Sequence, residues 1–183
     1  MVLPDPARYR VGTKTPLEIR IRRAEDVDAE AIAALMFASF VEYRSLYTPE
    51  GFAATAITAK EVSIRSGEGP VWVAVSGELI VGTVSVVSKG DALYIRGMAV
   101  LPAARGQLIG ELLLTHVERF AATNSFRRLL LSTTPFLDRA IRLYERFGFR
   151  RTEEGPNELF GTPLFSMEKA RPAGEVVDAL SSV

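Results

Sequence analysis

The sequence predicts one domain of mixed α/β (α+β) class built on a single central sheet. Three observations lead there. A chain of 183 residues is one domain's length and long enough to bury a sizeable core. Three strand-like apolar segments between Val71 and Val100 are separated by turn residues, as antiparallel hairpins are. From residue 127 onward, strand and helix patterns alternate.

The elements follow in order. Residues 1–16 hold Pro4, Pro6 and Pro16 without periodicity and read as an N-terminal arm. From Leu17 to Arg22, apolar Leu17, Ile19 and Ile21 alternate with charged residues, the pattern of a half-buried strand. Asp26 is placed to cap a helix whose apolar face is Ile32, Leu35, Met36 and Phe40, running to Tyr43. Pro49 and Gly51 mark 45–54 as a loop, and a second helix is expected over 55–65. Val71–Val75 and Leu79–Val87 are strands joined by Ser76-Gly77-Glu78. Gly90-Asp91 turns the chain into the strand Ala92–Val100, where Gly97 signals a bulge or a close backbone approach. A helix is expected from Gly106 to Ala122, then a short buried strand from Arg127 to Ser132. Thr134-Pro135 has the chemistry of a helix start. Leu137, Ala140, Ile141, Tyr144 and Phe147 line one face of that helix, with Gly148 as its C-terminal cap. Phe149–Thr152 and Leu164–Lys169 are the last strands of a domain spanning 17–170, and 171–183 reads as a tail.

Composition narrows the function. Twenty-two Lys plus Arg balance 22 Asp plus Glu, so no net charge draws the chain to nucleic acid or an anionic membrane. The absence of cysteine excludes thiolate metal sites and Cys catalysis, and a single His excludes a His-rich metal centre, so no metal is expected. No apolar run has the length of a membrane span, and no hydrophobic leader opens the chain, so a cytoplasmic location is expected.

The segment from Val100 to Leu114 carries the chemistry. An apolar strand ends at Val100, Pro102 stops it, and Arg105-Gly106 turns into a segment of helical spacing. A tight turn at a helix N-terminus presents unpaired N–H groups and the positive end of the helix dipole, which favour a phosphate. A second motif, Leu143-Tyr144-Glu145-Arg146-Phe147-Gly148-Phe149, lies downstream.

With these two motifs the sequence resembles the GCN5-related N-acetyltransferase (GNAT) family from Leu17 to Lys169. The family's turn has Arg or Gln, two residues, Gly, one residue, then Gly or Ala. Here Arg105 and Gly110 hold its ends, and Leu108 stands where Gly is usual. The second motif, Leu-Tyr-Glu-x-x-Gly-Phe, is matched in full, while Leu137 replaces an Asn often found seven residues before the Tyr. The resemblance implies a mostly antiparallel sheet flanked by about four helices, and direct transfer of acetyl from acetyl-coenzyme A (acetyl-CoA) to an amine.

The resemblance also implies roles. Met98, Ala99 and Val100 would offer free backbone groups to the cofactor's pantetheine arm, an N–H near Val100 facing the thioester carbonyl. Arg105, Gly106, Gln107, Leu108, Ile109, Gly110 and Glu111 would hold the pyrophosphate. Tyr144 would protonate the leaving thiolate, or else be a core residue of its helix face. Arg96 stands at the family's acidic strand position, where Arg cannot accept a proton. It would bind the carboxylate of an acceptor, or else pair with an acid across the sheet. The base is then a water relay, a residue such as Glu42, or the amine's own neutral fraction. The expected acceptor is a small-molecule or peptide amine, with self-association left open. A longer acyl donor and a non-catalytic acyl-CoA sensor are the rival readings.

Overall fold

The structure is a computed structural model and describes residues 18–171. The expected arm, Leu17 and the tail after Arg171 lie outside the described residues. β1 (Ile19–Arg23), β2 (Val71–Ser76), β3 (Leu79–Lys89) and β4 (Ala92–Val100) pair antiparallel in sequence order. β5 (Arg128–Thr133) then lies parallel to β4, followed across the sheet by β9 (Phe165–Ala170) and β6 (Arg150–Thr152), both antiparallel pairings. A separate two-stranded hairpin, β7 (Glu158–Leu159) and β8 (Thr162–Pro163), was not foreseen from sequence.

Five α-helices cover the sheet. On one face, α1 (Ala29–Phe40) and α3 (Ala59–Glu68) close over Val71, Val73, Val75 and Ala99, with α2 (Pro49–Thr55) beside them. On the other, α4 (Ile109–Thr123) and α5 (Asp138–Arg146) pack over Val84, Leu93, Ile95, Leu129 and Leu131. Leu113, Val117 and Leu129 are wholly buried. Each such side chain is worth about 1.5–3 kcal/mol relative to exposure. No helix among the described residues is long and apolar enough to cross a membrane.

Several local expectations are corrected by their chemistry. Asp26 does not cap α1. A short 3₁₀ turn over Asp26–Asp28 intervenes, and the Asp28 carboxylate accepts from Glu25 N–H at 2.8 Å and from both Arg22 Nη atoms at 2.6 and 2.9 Å. The bidentate Arg22 pair holds the Asp28 carboxyl below its ordinary range. The expected loop 45–54 contains α2, which starts at Thr48-Pro49, with the Thr48 hydroxyl accepting from Gly51 N–H at 3.0 Å. The second helix starts later than expected, at the Thr58-x-x-Glu61 capping box. Thr134-Pro135 does not start α5. The chain makes one more turn, and the helix begins at Asp138. Gly148 does end α5, at φ +85°, with Phe149 N–H returning to Tyr144 O at 3.0 Å.

Candidate active site

The site is opened by two defects in β4. Pairing with β5 covers only Ala92 to Ile95 opposite Arg128 to Leu131, although both strands run on. Just past that point β4 carries a bulge. Ile95 faces Val86 and Gly97 faces Ser85, which leaves Arg96 as the extra residue. The bulge overturns the plain alternation that would put Tyr94, Arg96 and Met98 on one face and Ile95, Gly97 and Ala99 on the other. Leu93 and Ile95 face the α4 core, and Met98 and Val100 pack against that same core, while Ala99 belongs to the α1–α3 core. One inserted residue reverses the phase of a period-two pattern.

Beyond the bulge, β4 has a free edge. Leu101 N–H donates to Val81 O at 2.9 Å, so Leu101 and Ala99 turn their backbone groups toward β3. Met98 and Val100, one residue out of step, turn theirs toward the gap. The Val100 carbonyl is met there by Ser39 Oγ at 3.1 Å. The Val100 N–H and the Met98 N–H and C=O border the opening.

That opening is a cavity of about 760 Å³. The β4 edge from Arg96 to Val100 forms one wall, and Leu131 to Thr133 of β5 with the following Thr134 the other. Arg105, Gly106, Leu108, Ile109, Gly110 and Glu111 close one end, and Tyr43 and Tyr47 lie among its other lining residues. Gln107 is exposed and lies outside the lining.

The turn is built on left-handed backbone. Gly106 has φ +82°, and Leu108, the residue ahead of the first turn of α4, has φ +58° and ψ 19°. Only Gly takes that conformation without cost, which is the physical content of the Gly preference at the Leu108 position. α4 begins at Ile109, later than the expected Gly106, and the N–H groups of its first turn point out of the helix end without intrahelical partners. Gly110 serves packing: a Cβ there would come within 2.8 Å of Leu143 Cδ2.

The charged side chains of the turn are already engaged. Arg105 Nη2 lies 2.5 Å from Glu42 Oε1 and donates to Ser39 O at 3.2 Å. Glu111 Oε1 accepts from Arg146 Nη2 at 2.9 Å. Arg139 and Arg146 line the cavity from α5 and were missed in the sequence, although a spacing of seven puts them on one helix face. Arg96 lines the cavity and its guanidinium pairs with Glu68 at the end of α3, not with an acid across the sheet.

Tyr144 is buried in the α4–α5 core with its ring against Phe149, centroids 5.9 Å apart, and it also lines the cavity. Its hydroxyl has no hydrogen-bond partner among the described residues. Burial, helped by neighbouring Tyr94, raises its pKa well above the usual phenol value. The phenol therefore stays protonated at neutral pH. Across the cavity, burial also raises the Tyr47 phenol, opposed by the nearby Thr134 and Thr55 hydroxyls. His116, mid-helix on α4, packs edge-on to Trp72, with centroids 4.9 Å apart, and takes no part in the cavity.

These pieces fit a phosphorylated acyl thioester: a helix end for its phosphates, an unpaired strand edge for an amide-bearing arm, and a protonated phenol at their junction. Comparison with known proteins gives the family. Residues 33–149 match the model of the acetyltransferase (GNAT) family. A mouse protein described as "Probable N-acetyltransferase family 8 member 5" is 34% identical over 96 residues, 49% of this chain and 42% of its own length. An N-acetylaspartate synthetase of Danio rerio is 38% identical over 85 residues, 45% of this chain and 30% of that protein. The chain thus spans less than half the length of these two relatives. Among solved structures, the PaiA N-acetyltransferase of Thermoplasma acidophilum in complex with coenzyme A superposes with TM-score 0.71 at 18% identity, covering 84% of this chain and 99% of that one. By its family model, with a mixed sheet opened between β4 and β5 in agreement, the chain belongs to the acetyltransferase (GNAT) family.

Proposed function

We propose that this protein transfers an acetyl group from acetyl-CoA to a primary amine of a small molecule, amino acid or peptide. The observation that carries this reading is the free β4 edge at Met98–Val100, opening beside the N-terminus of α4 with Tyr144 at the same cavity. The names of the two relatives, one for N-acetyltransfer and one for an N-acetylated product, support an amine acceptor.

Acetyl-CoA supplies the acetyl group as a thioester, already activated toward an amine. The N–H groups at the start of α4 are the proposed pyrophosphate donors, and Met98 and Val100 the proposed partners of the pantetheine amides. The Val100 N–H holds the charge that builds on the acyl oxygen. As the amine nitrogen bonds to the acyl carbon it loses a proton to water. As the carbon–sulfur bond breaks, the Tyr144 hydroxyl gives its proton to sulfur and recovers one from solvent in the cavity. Glu42 is occupied by Arg105, which favours a water relay or the amine's own neutral fraction over a carboxylate base. Arg96 is the proposed acceptor contact, held in place by Glu68.

The test follows free thiol from acetyl-CoA with a panel of amines. Amine-dependent thiol release supports transfer. Cofactor binding without thiol release above the amine-free rate would make the protein an acyl-CoA sensor instead.

A further inference from the structure

Arg65 was not singled out in the sequence, and nothing in the mechanism above uses it. It stands on α3, on the α1 side of the sheet, half-buried in the cavity wall. Its Nη1 lies 3.5 Å from where a Cβ at Gly97 would be, so the guanidinium sits directly over the bulge.

The guanidinium is under-partnered. Of its five N–H donors, one reaches Ala54 O at 3.3 Å. It forms no ion pair among the described residues. The carboxylates of its own helix are committed elsewhere. Glu61 accepts from both Thr58 N–H and Thr58 Oγ1 at 2.7 Å, capping α3, and Glu68 pairs with Arg96. Burial, and then the charge of Arg96, push the Arg65 guanidinium down from its ordinary value. A desolvated cation beside a second cation is costly unless an anion joins it.

A second observation points to a ligand in the same cavity. Thr134 Oγ1 is buried in its wall and makes no hydrogen bond of full geometry among the described residues. Its polar neighbour is the Tyr47 phenol, which also lines the cavity, so the wall keeps hydrogen-bonding capacity for a bound polar group.

We propose that Arg65 binds the carboxylate of the acceptor through a two-pronged guanidinium–carboxylate contact, and that the acceptor is therefore an amino acid. The inference rests on the amine-transfer reading above. The planar fork of Arg suits a carboxylate in particular. Gly97 lies one to three residues from the Met98–Val100 edge, about 3.3 Å per residue, so carboxylate and amine must be close together on the substrate. An α- or β-amino acid has that spacing. A polyamine has no anion to offer and meets two guanidinium groups instead.

The experiment compares each standard L-amino acid with its carboxamide, and both with spermidine, by thiol release from acetyl-CoA. Wild type should favour acids over amides at least tenfold in kcat/KM. Arg65→Gln should lose that preference through KM, and Arg65→Lys should restore part of it. Retained thermal stabilisation by acetyl-CoA shows that each variant is folded. In a separate arm with coenzyme A present, N-acetyl-L-amino acids should raise the unfolding temperature of wild type and not of Arg65→Gln. Turnover that prefers amides or spermidine, or an acid preference that survives Arg65→Gln, overturns the Arg65 assignment and leaves amine transfer standing. Product binding that depends on Arg65 without any turnover overturns amine transfer, and with it Arg65 as an acceptor contact, and leaves Arg65 only as a carboxylate-binding group. Neither turnover nor product binding overturns both.

Discussion

Arg105 Nη2 sits 2.5 Å from Glu42 Oε1, so the first residue of the phosphate-type turn braces the segment after α1 instead of reaching over the start of α4. Three residues before Glu42, Ser39 accepts from Arg105 at its carbonyl and donates from its hydroxyl to Val100 O. One short stretch of chain therefore positions both the turn and the free end of β4. The pyrophosphate binding proposed for this turn would then fall to backbone N–H groups and the helix dipole, which need no particular side chain.

Acetyl-CoA should stabilise the fold. At a free concentration a hundredfold above its dissociation constant, the gain is about 2.7 kcal/mol. Thermal unfolding with and without cofactor measures it, and no shift at millimolar cofactor would refute the assignment of the cavity.

Tyr144→Phe should lower kcat by about a hundredfold or more and leave acetyl-CoA affinity nearly unchanged, because it removes only a proton donor. The hydroxyl has no protein partner to lose, so the fold should hold. Stopped or steady-state thiol assays decide it, and wild-type turnover across the pH range would make Tyr144 a packing residue.

Leu108 stores strain. A left-handed residue with a Cβ costs about 1–2 kcal/mol, and its side chain is 64% exposed, so burial returns little. Leu108→Gly relieves the strain, while Leu108→Ala keeps it. The Gly variant should be the more stable of the two by about 1 kcal/mol. Chemical denaturation of both variants checks this, and an Ala variant equal to or better than Gly would show that the turn is unstrained.

His116 makes stability depend on pH. Burial against Trp72, with Arg119 adding repulsion, lowers its pKa below the ordinary 6.5. The unfolded chain binds this proton more readily than the folded one. Stability from this group is thus full above about pH 6.5 and falls as pH drops toward the folded value. His116→Phe should lose less stability than wild type between pH 7.5 and pH 5 in denaturant titrations. Equal losses would place the acid sensitivity elsewhere, the Arg22–Asp28 pair being the next group to examine at lower pH.

The sequence by itself determined the order of the main-sheet strands and of the helices other than α2, the turn from Arg105 to Gly110, and the Leu143–Phe149 motif, because these are local. Period-two and helical spacing decide which face a residue shows, and left-handed or capping positions call for particular residue types within a few places. Even local chemistry misled where two segments carried the same signal. Thr48-Pro49 starts a helix and Thr134-Pro135 does not, since Thr48 is also held by Thr162 and Phe160, more than a hundred residues away. Tertiary structure alone decided the rest. The bulge at Arg96 depends on how β4 registers against β3, and one extra residue there reversed the faces expected for Met98 and Ala99. The partners of Arg105 and Arg96, and the gathering of Arg65, Gly97 and Thr134 around one cavity, join α1, α3, β4 and β5 across long stretches of chain. Spacing along a sequence encodes the face of an element, whereas which faces meet depends on pairing register and packing, and those are properties of the folded whole.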